Sequence, residues 1–378
     1  MRSAALIDAP ETTVPLFDLS AMNAEVNASI EDGWKRILET QRFIGGPQVE
    51  RFEMEWADYC GTEQAVGVAN GTDAIELTLR ALGIGPGDEV ILPANSFTAT
   101  AEAIVMAGAT PRFVDVDPLS LLLTPETIAP AISNGTAAII AVHLYGHMAD
   151  MSAILDLAST KGLVVIEDAA QAHGATWDGR KAASFGHAGC FSFYPGKNLG
   201  AYGDAGAVVT DDVALAARIR SLSNHGRSTS SKYAHDSAGR NSRLDALQAV
   251  VLSTKLPHLD GWNEARRQAI AVYADCLAER AGLLVPTAEQ SRSVYHQNVI
   301  RVPDRGRVQG ELLQRNIQTD IHYPTPLHFM SFYSHHAESL PVAEIAANEV
   351  LSLPLFPSIT PRQIARVCSD LGEVLGDV

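Results

Sequence analysis

Cysteine is scarce in this 378-residue chain, which holds only Cys60, Cys190, Cys276 and Cys368. They are far apart and form no CxxC pair, which excludes a disulfide framework or a zinc knuckle and fits free thiols in a reducing cytoplasm. No apolar run approaches the roughly 18 residues of a membrane span, so none is expected. Residues 1–20 carry Asp8, Glu11 and Asp18 and no long apolar stretch, so no signal peptide is expected. Positive charge is also short. With 28 Lys+Arg against 44 Asp+Glu the net charge is −16. That excludes non-specific binding to nucleic acid or anionic membrane, both of which need a basic surface. No GxGxxG fingerprint occurs. A P-loop fails too, because Gly189 and Gly196 are too far apart and Asn198 follows Lys197 where Ser or Thr is required. Nothing points to a bound metal.

What is present is ordinary globular composition, 46% apolar and 19% charged, long enough for about two domains. Short apolar runs alternate with helix-like segments from about residue 65 to 210. The runs are 65–69, 89–92, 111–115, 137–142, 163–166 and 206–209. Most are continuously apolar, as in strands covered on both faces, and strand–helix–strand repetition predicts a mainly parallel α/β sheet sandwiched by helices. Residues 243–279 read as long helix broken near Pro257. The domain change is placed there, giving a large α/β domain over 1–250 and a smaller C-terminal α+β domain over 251–378.

In such sheets ligands sit beyond the carboxyl ends of the strands. After the first run comes Asn70-Gly71-Thr72-Asp73-Ala74. A strand, a Gly turn and a helix start make an anion site of free N–H groups at the positive dipole end. The same residues also read as a plain capped helix, with Asn70 as cap and Asp73 as its partner. After 163–166 comes Glu167-Asp168-Ala169-Ala170-Gln171. A carboxylate there is either a helix cap or the counter-ion of a bound cation. Lys197 stands 29 residues after Asp168, alone among apolar, aromatic and Gly residues. It reads either as a surface lysine with a buried stem or as a dehydrated amine of lowered pKa, able to act as a nucleophile. One explanation covers all three segments: a pyridoxal 5'-phosphate (PLP) site. It needs a Schiff-base Lys, an Asp on the pyridinium nitrogen and a helix start for the phosphate.

The chain resembles the DegT/StrS-type nucleotide-sugar aminotransferases, of fold-type-I PLP transferase architecture with a seven-stranded sheet. Seven stretches carry the resemblance in order: 70–74, 83–93, 142–146, 167–175, 191–206, 239–245 and 322–328. It implies Lys197 as the Schiff-base lysine and proton carrier, and Asp168 as partner of the pyridine nitrogen. Gln171 would lie at the ring hydroxyl and Phe97 on the ring face. Gly71, Thr72 and Ser192 would hold the phosphate, with Asn241 reaching in from the partner of a homodimer. Some relatives are dehydratases with His at the lysine position, so Lys197 favours amination.

Residues 218–243 hold six basic side chains against one acid, Asp236. The stretch is either a solvated loop or a landing zone for a sugar nucleotide's diphosphate, with Arg227 and Lys232 as candidates. His322 and Tyr323 either line the sugar pocket or are packed residues. The expected reaction moves the amino group of L-glutamate or L-glutamine to a keto-deoxysugar on a nucleoside diphosphate, dTDP by expectation. The product would serve a glycoside, antibiotic or surface polysaccharide. The Asn241-Ser242-Arg243-Leu244-Asp245 stretch resembles relatives acting on 3-keto sugars, so a dTDP-3-keto-6-deoxyhexose is expected, with amination at C4 of a dTDP-4-keto-6-deoxyhexose as the alternative. A non-catalytic PLP or nucleotide-sugar regulator is the alternative from another class.

Overall fold

Strands that are apolar throughout need cover on both faces, and the central sheet has it. In the computed structural model, which describes residues 13–228, 231, 233–333 and 338–376, this sheet has seven strands. They are β1 (Gln64–Val68), β2 (Glu89–Pro93), β3 (Thr110–Val114), β4 (Thr136–Val142), β5 (Val164–Asp168), β6 (Ala188–Ser192) and β7 (Gly206–Thr210). The order is β1-β7-β6-β5-β4-β2-β3. β7 runs antiparallel to both its neighbours, and the other pairings are parallel. The register sets Val142, Asp168 and Cys190 side by side, so the ends of β4, β5 and β6 open at one level. Residues 1–12, which include Asp8 and Glu11, and Lys232 lie outside the described residues.

The six expected runs all fall on strands, and β6 is the seventh. Its Ala-Gly-Cys-Phe-Ser sequence carries little strand signature. Gly189 has a packing reason: a Cβ there would overlap Ala183. Two helices not foreseen precede the sheet, Ser20–Thr40 and Pro47–Cys60. The second lays Phe52 and Trp56, both fully buried, against Phe193 and begins at Pro47 after Gly46, whose positive φ of 83° suits glycine. The expected break at Pro257 appears as a 3₁₀ turn, Leu256–His258, between Ala246–Lys255 and Leu259–Cys276.

The buried apolar side chains form one large cluster around the sheet and a second around the C-terminal pair Asn298–Arg301 and Val350–Leu353. The helices Arg305–Gln314 and Pro361–Leu375 add Leu312, Val367 and Leu371 to the second, and Val14 crosses over to join it. Among the described residues no helix is long and apolar enough to cross a membrane, and no cluster of three metal-ligating side chains occurs. All four cysteines are free thiols.

Candidate active site

β1 feeds Asn70, whose extended backbone ends the strand and whose Oδ1 accepts from the Asp73 N–H at 2.8 Å. That cap starts the helix Gly71–Ala81. The capping reading is therefore realised, and it leaves the anion reading intact. The first-turn N–H groups of Gly71 and Thr72 have no intrahelical acceptor, and both residues line a cavity of about 590 Å³. Gly71 lies so close to β6 that a Cβ would sit 2.7 Å from the Ser192 Cβ. Only glycine lets the helix start approach Ser192 this closely.

The adjacent carboxylates of β5 point to opposite faces, as strand neighbours do. Glu167 is fully buried and saturated with hydrogen bonds. It accepts from the N–H groups of Ala183, Phe185 and Gly186 at 2.7–2.8 Å and lies 2.9 Å from His143 Nε2. His143 Nδ1 accepts from the Ala149 N–H, so Nε2 carries the proton and donates to Glu167. Asp168 faces the cavity instead. Its Oδ2 accepts from Thr100 Oγ1 at 2.7 Å, and Ser96 Oγ lies 2.9 Å from the same hydroxyl. Burial pushes the Asp168 carboxyl above its ordinary value, while bonds from Thr100 and the Ala170 N–H, then Lys197 and His143, pull it back.

Lys197 follows a tight turn in which its N–H donates to the Tyr194 carbonyl at 2.8 Å. The next residue anchors the loop. Asn198 donates to Asn263 Oδ1 and the Val294 carbonyl at 2.8 and 3.0 Å. The lysine stem is thereby held at the cavity wall. Burial lowers the ammonium pKa to about 8, with the Asp168 charge opposing.

One cavity thus brings together Gly71, Thr72, Phe97, Asp168, Gln171, Ser192, Lys197, His322 and Tyr323. Gln171 is oriented on both sides, accepting from the Tyr145 N–H at 2.7 Å and donating to the Tyr323 hydroxyl at 3.0 Å. The Tyr323 ring lies 5.6 Å from that of Phe97. Tyr145 donates its hydroxyl to the His322 carbonyl at 2.6 Å, and His322 Nδ1 lies 2.8 Å from Ser352 Oγ. Asn241 and Arg227 do not line the cavity. Asn241 is exposed and bridges Asn224; Arg227 is half-buried and bridges His235.

The basic stretch is partly neutralised from afar. Arg220 pairs with Glu53 at 2.8 Å, and Arg240 pairs with Asp73 at 3.1 Å and with Glu76. Sequence reasoning passed over Thr100, Ser96, Tyr145, His296 and Arg266, all of which touch this site or its residues. Ser96 and Thr100 carried a signal, being hydroxyls i and i+4 at a helix start beside Phe97. Arg266, inside an ordinary helical stretch, carried none.

These residues fit PLP. An amine, a buried carboxylate and a helix start opened by a missing Cβ line the same cavity, matching an aldehyde, a basic ring nitrogen and a phosphate.

The fold, an open sheet with lysine and aspartate at its strand ends, is that of PLP-dependent aminotransferases. Residues 25–372 match the DegT/DnrJ/EryC1/StrS aminotransferase family, and the chain belongs to it. The chain is therefore an aminotransferase, and its cofactor is PLP. It is 45% identical to the dTDP-3-amino-3,4,6-trideoxy-alpha-D-glucose transaminase of Streptomyces venezuelae, over 95% of this chain and 96% of that one. It is 46% identical to the UDP-N-acetyl-3-dehydro-alpha-D-glucosamine 3-aminotransferase of Acidithiobacillus ferrooxidans, over 96% and 98%. The crystal structure of S. venezuelae DesV in complex with a ketimine intermediate superposes with a TM-score of 0.93 at 44% identity, covering 97% of this chain and 99% of that one.

Proposed function

We propose that this enzyme transfers the amino group of L-glutamate to C3 of a nucleotide-linked keto-deoxysugar, with a dTDP-3-keto-6-deoxyhexose as the substrate. The observation that carries the transamination is the pairing of Lys197, its pKa lowered to about 8, with the buried Asp168 in one cavity. The sugar class and the C3 position are supported by the names of the two relatives, both of which specify an amino or keto group at position 3. The dTDP carrier is supported by the first of them.

When bound, PLP supplies the electron sink for the α-carbon. Asp168 would hold the proton on its pyridine nitrogen, and the 2.7 Å bond from Thr100 orients that carboxyl and favours its charged form. Gly71 and Thr72, with Ser192, would hold the phosphate by backbone and hydroxyl donors. Phe97 would pack against the cofactor ring and Gln171 would hydrogen-bond its hydroxyl; both line the cavity. Lys197 would hold the cofactor through its aldehyde and, as a free amine, would take and return the proton of the donor's Cα. An amine with pKa near 8 can take and return a proton near neutral pH. His322 and Tyr323 line the sugar side. In our reading Arg227 and Lys232 meet the diphosphate, and the enzyme is a cytoplasmic homodimer in which Asn241, exposed and off its own cavity, reaches the partner's phosphate.

The test is the two half-reactions. L-glutamate should convert the absorbance of lysine-bound cofactor to that of the pyridoxamine form. A panel of dTDP- and UDP-linked 3-keto and 4-keto sugars should then restore the first spectrum. Nuclear magnetic resonance of the product locates the new amine. An amine at C4 would replace the C3 assignment, and a spectrum unmoved by any amino donor would leave a PLP-binding regulator.

A further inference from the structure

The bonds around His296 fix its tautomer and leave one lone pair unused. Asn263 donates its Nδ2 to the His173 carbonyl at 2.8 Å, which turns its Oδ1 toward Asn198. Asn198 gives its Nδ2 to that oxygen and to the Val294 carbonyl at 2.8 and 3.0 Å, so its own Oδ1 can only accept. That oxygen lies 3.1 Å from His296 Nδ1. Nδ1 therefore carries the proton, and Nε2 is a bare acceptor. Among the described residues no donor meets Nε2, and it is not sealed from solvent. His296 lines the cavity that holds Lys197. Burial holds the ring neutral, and the positive charges of Lys197 and Arg266 add to the effect.

A neutral lone pair in this position selects its partner. The charges of Lys197 and Arg266 both reach it, so a cationic donor such as an ammonium is repelled. A carboxylate or a phosphate brings no proton to share. The group that fits is an uncharged O–H. L-glutamate has none, whereas a deoxyhexose keeps hydroxyls on its ring.

We infer that His296 Nε2 accepts a hydrogen bond from a sugar hydroxyl on a carbon flanking the one that is aminated. The inference rests on the sugar-transamination reading and adds to it a residue that selects the sugar over the amino donor. Asn198, which holds the imidazole, directly follows Lys197, so the acceptor is tied to the reacting centre through adjacent residues. A sugar whose reacting carbon faces Lys197 brings its neighbouring hydroxyls to the same wall. A site built to bond a hydroxyl rejects the analogue lacking it, because the site's own polar group is then left without a partner.

The experiment runs the sugar half-reaction in reverse. PLP-loaded enzyme is mixed with dTDP-3-amino-3,6-dideoxyglucose, or with its 2-deoxy or 4-deoxy counterpart, and the rise of the pyridoxamine spectrum is followed against sugar concentration. In the wild type, one of the two counterparts should bind roughly tenfold more weakly than the parent sugar. His296→Asn keeps an N–H for Asn198 but has nothing at the Nε2 position. It should lose the same roughly tenfold on the parent sugar and little more on that counterpart, since both changes remove one bond. His296→Gln, which places an amide oxygen near the Nε2 position, should recover most of the loss. Losses in His296→Asn that are equal for all three sugars mean a structural role through Asn198 and overturn the inference. So do three sugars bound equally by the wild type. Should His296→Asn fail to fold, a crystal structure of the wild type with the parent amino sugar decides: a hydroxyl on Nε2 supports the assignment, and none there overturns it. Conversion by L-glutamate but by none of the three sugars refutes the sugar reading, and the inference with it.

Discussion

Thr100 Oγ1 donates a 2.7 Å hydrogen bond to Asp168 Oδ2 from a helix start 68 residues earlier in the chain. It is the largest influence holding down a carboxyl that burial pushes up. Removing it in Thr100→Val raises the Asp168 pKa further, so the carboxylate forms only at higher pH. A hydrogen bond to a charged group contributes about 1.5–3 kcal/mol, or roughly 10- to 150-fold in turnover if the loss falls on the transition state. We expect that loss, with the acid limb of the rate profile moved to higher pH and Thr100→Ser restoring both. An unmoved limb in the valine variant would show that Thr100 does not tune Asp168.

Asp168→Asn and Glu167→Gln should separate chemistry from stability. Asp168→Asn should keep its fold and lose about 10²–10⁴ in rate, the equivalent of about 3–5 kcal/mol. Glu167→Gln meets three N–H donors and a histidine with an amide that can accept at only one end. It should cost about 3–5 kcal/mol of stability, read by denaturant titration.

Lys197→Ala should fold and lack both the Schiff-base absorbance and turnover. In the cofactor-free wild type, labelling of Lys197 by an amine-selective reagent should rise through pH about 8, not through the ordinary lysine range near 10.4. The neutral, reactive amine dominates above the folded pKa, and a lowered pKa moves that onset down. A midpoint near 10 would mean the side chain is hydrated.

Gly71→Ala should weaken the cofactor. Its Cβ would sit 2.7 Å from the Ser192 Cβ, closer than Cβ atoms come, so the helix start or β6 must shift. Overpacking of this kind costs about 1–3 kcal/mol, about 5- to 150-fold in PLP affinity if the displacement falls on the phosphate cradle. Fluorescence titration of the cofactor-free protein measures it.

The proposed dimer is tested by subunit mixing. Lys197→Ala chains and chains with Asn241→Trp should each be inactive alone. If Asn241 serves the partner's site, a mixed dimer has one site with both lesions and one with neither, and activity returns. Exchange without recovery would place Asn241 in its own subunit's service.

What the sequence determined is local. Asn70 with Asp73 three residues on specifies a capped helix start after an apolar run. An isolated lysine in a Gly-rich turn, 29 residues after a strand-end aspartate, specifies a cofactor chemistry. Those readings depend on neighbours in the chain, so the chain displays them. β6 was hidden because its Gly189 is there for close packing against Ala183, and packing partners have no fixed spacing in sequence. The proposed boundary at residue 250 meets the same difficulty, since Leu256, Val294 and Leu327 join the larger core. Only the tertiary structure decided which of Glu167 and Asp168 faces the cavity, and that Thr100 reaches the aspartate. It also paired Arg220 and Arg240 with Glu53 and Glu76 from other helices, which thins a stretch that looks strongly basic by count. Charge counted along a chain registers only sequence neighbours, whereas Coulomb energy and hydrogen bonding depend on distance in space and on burial.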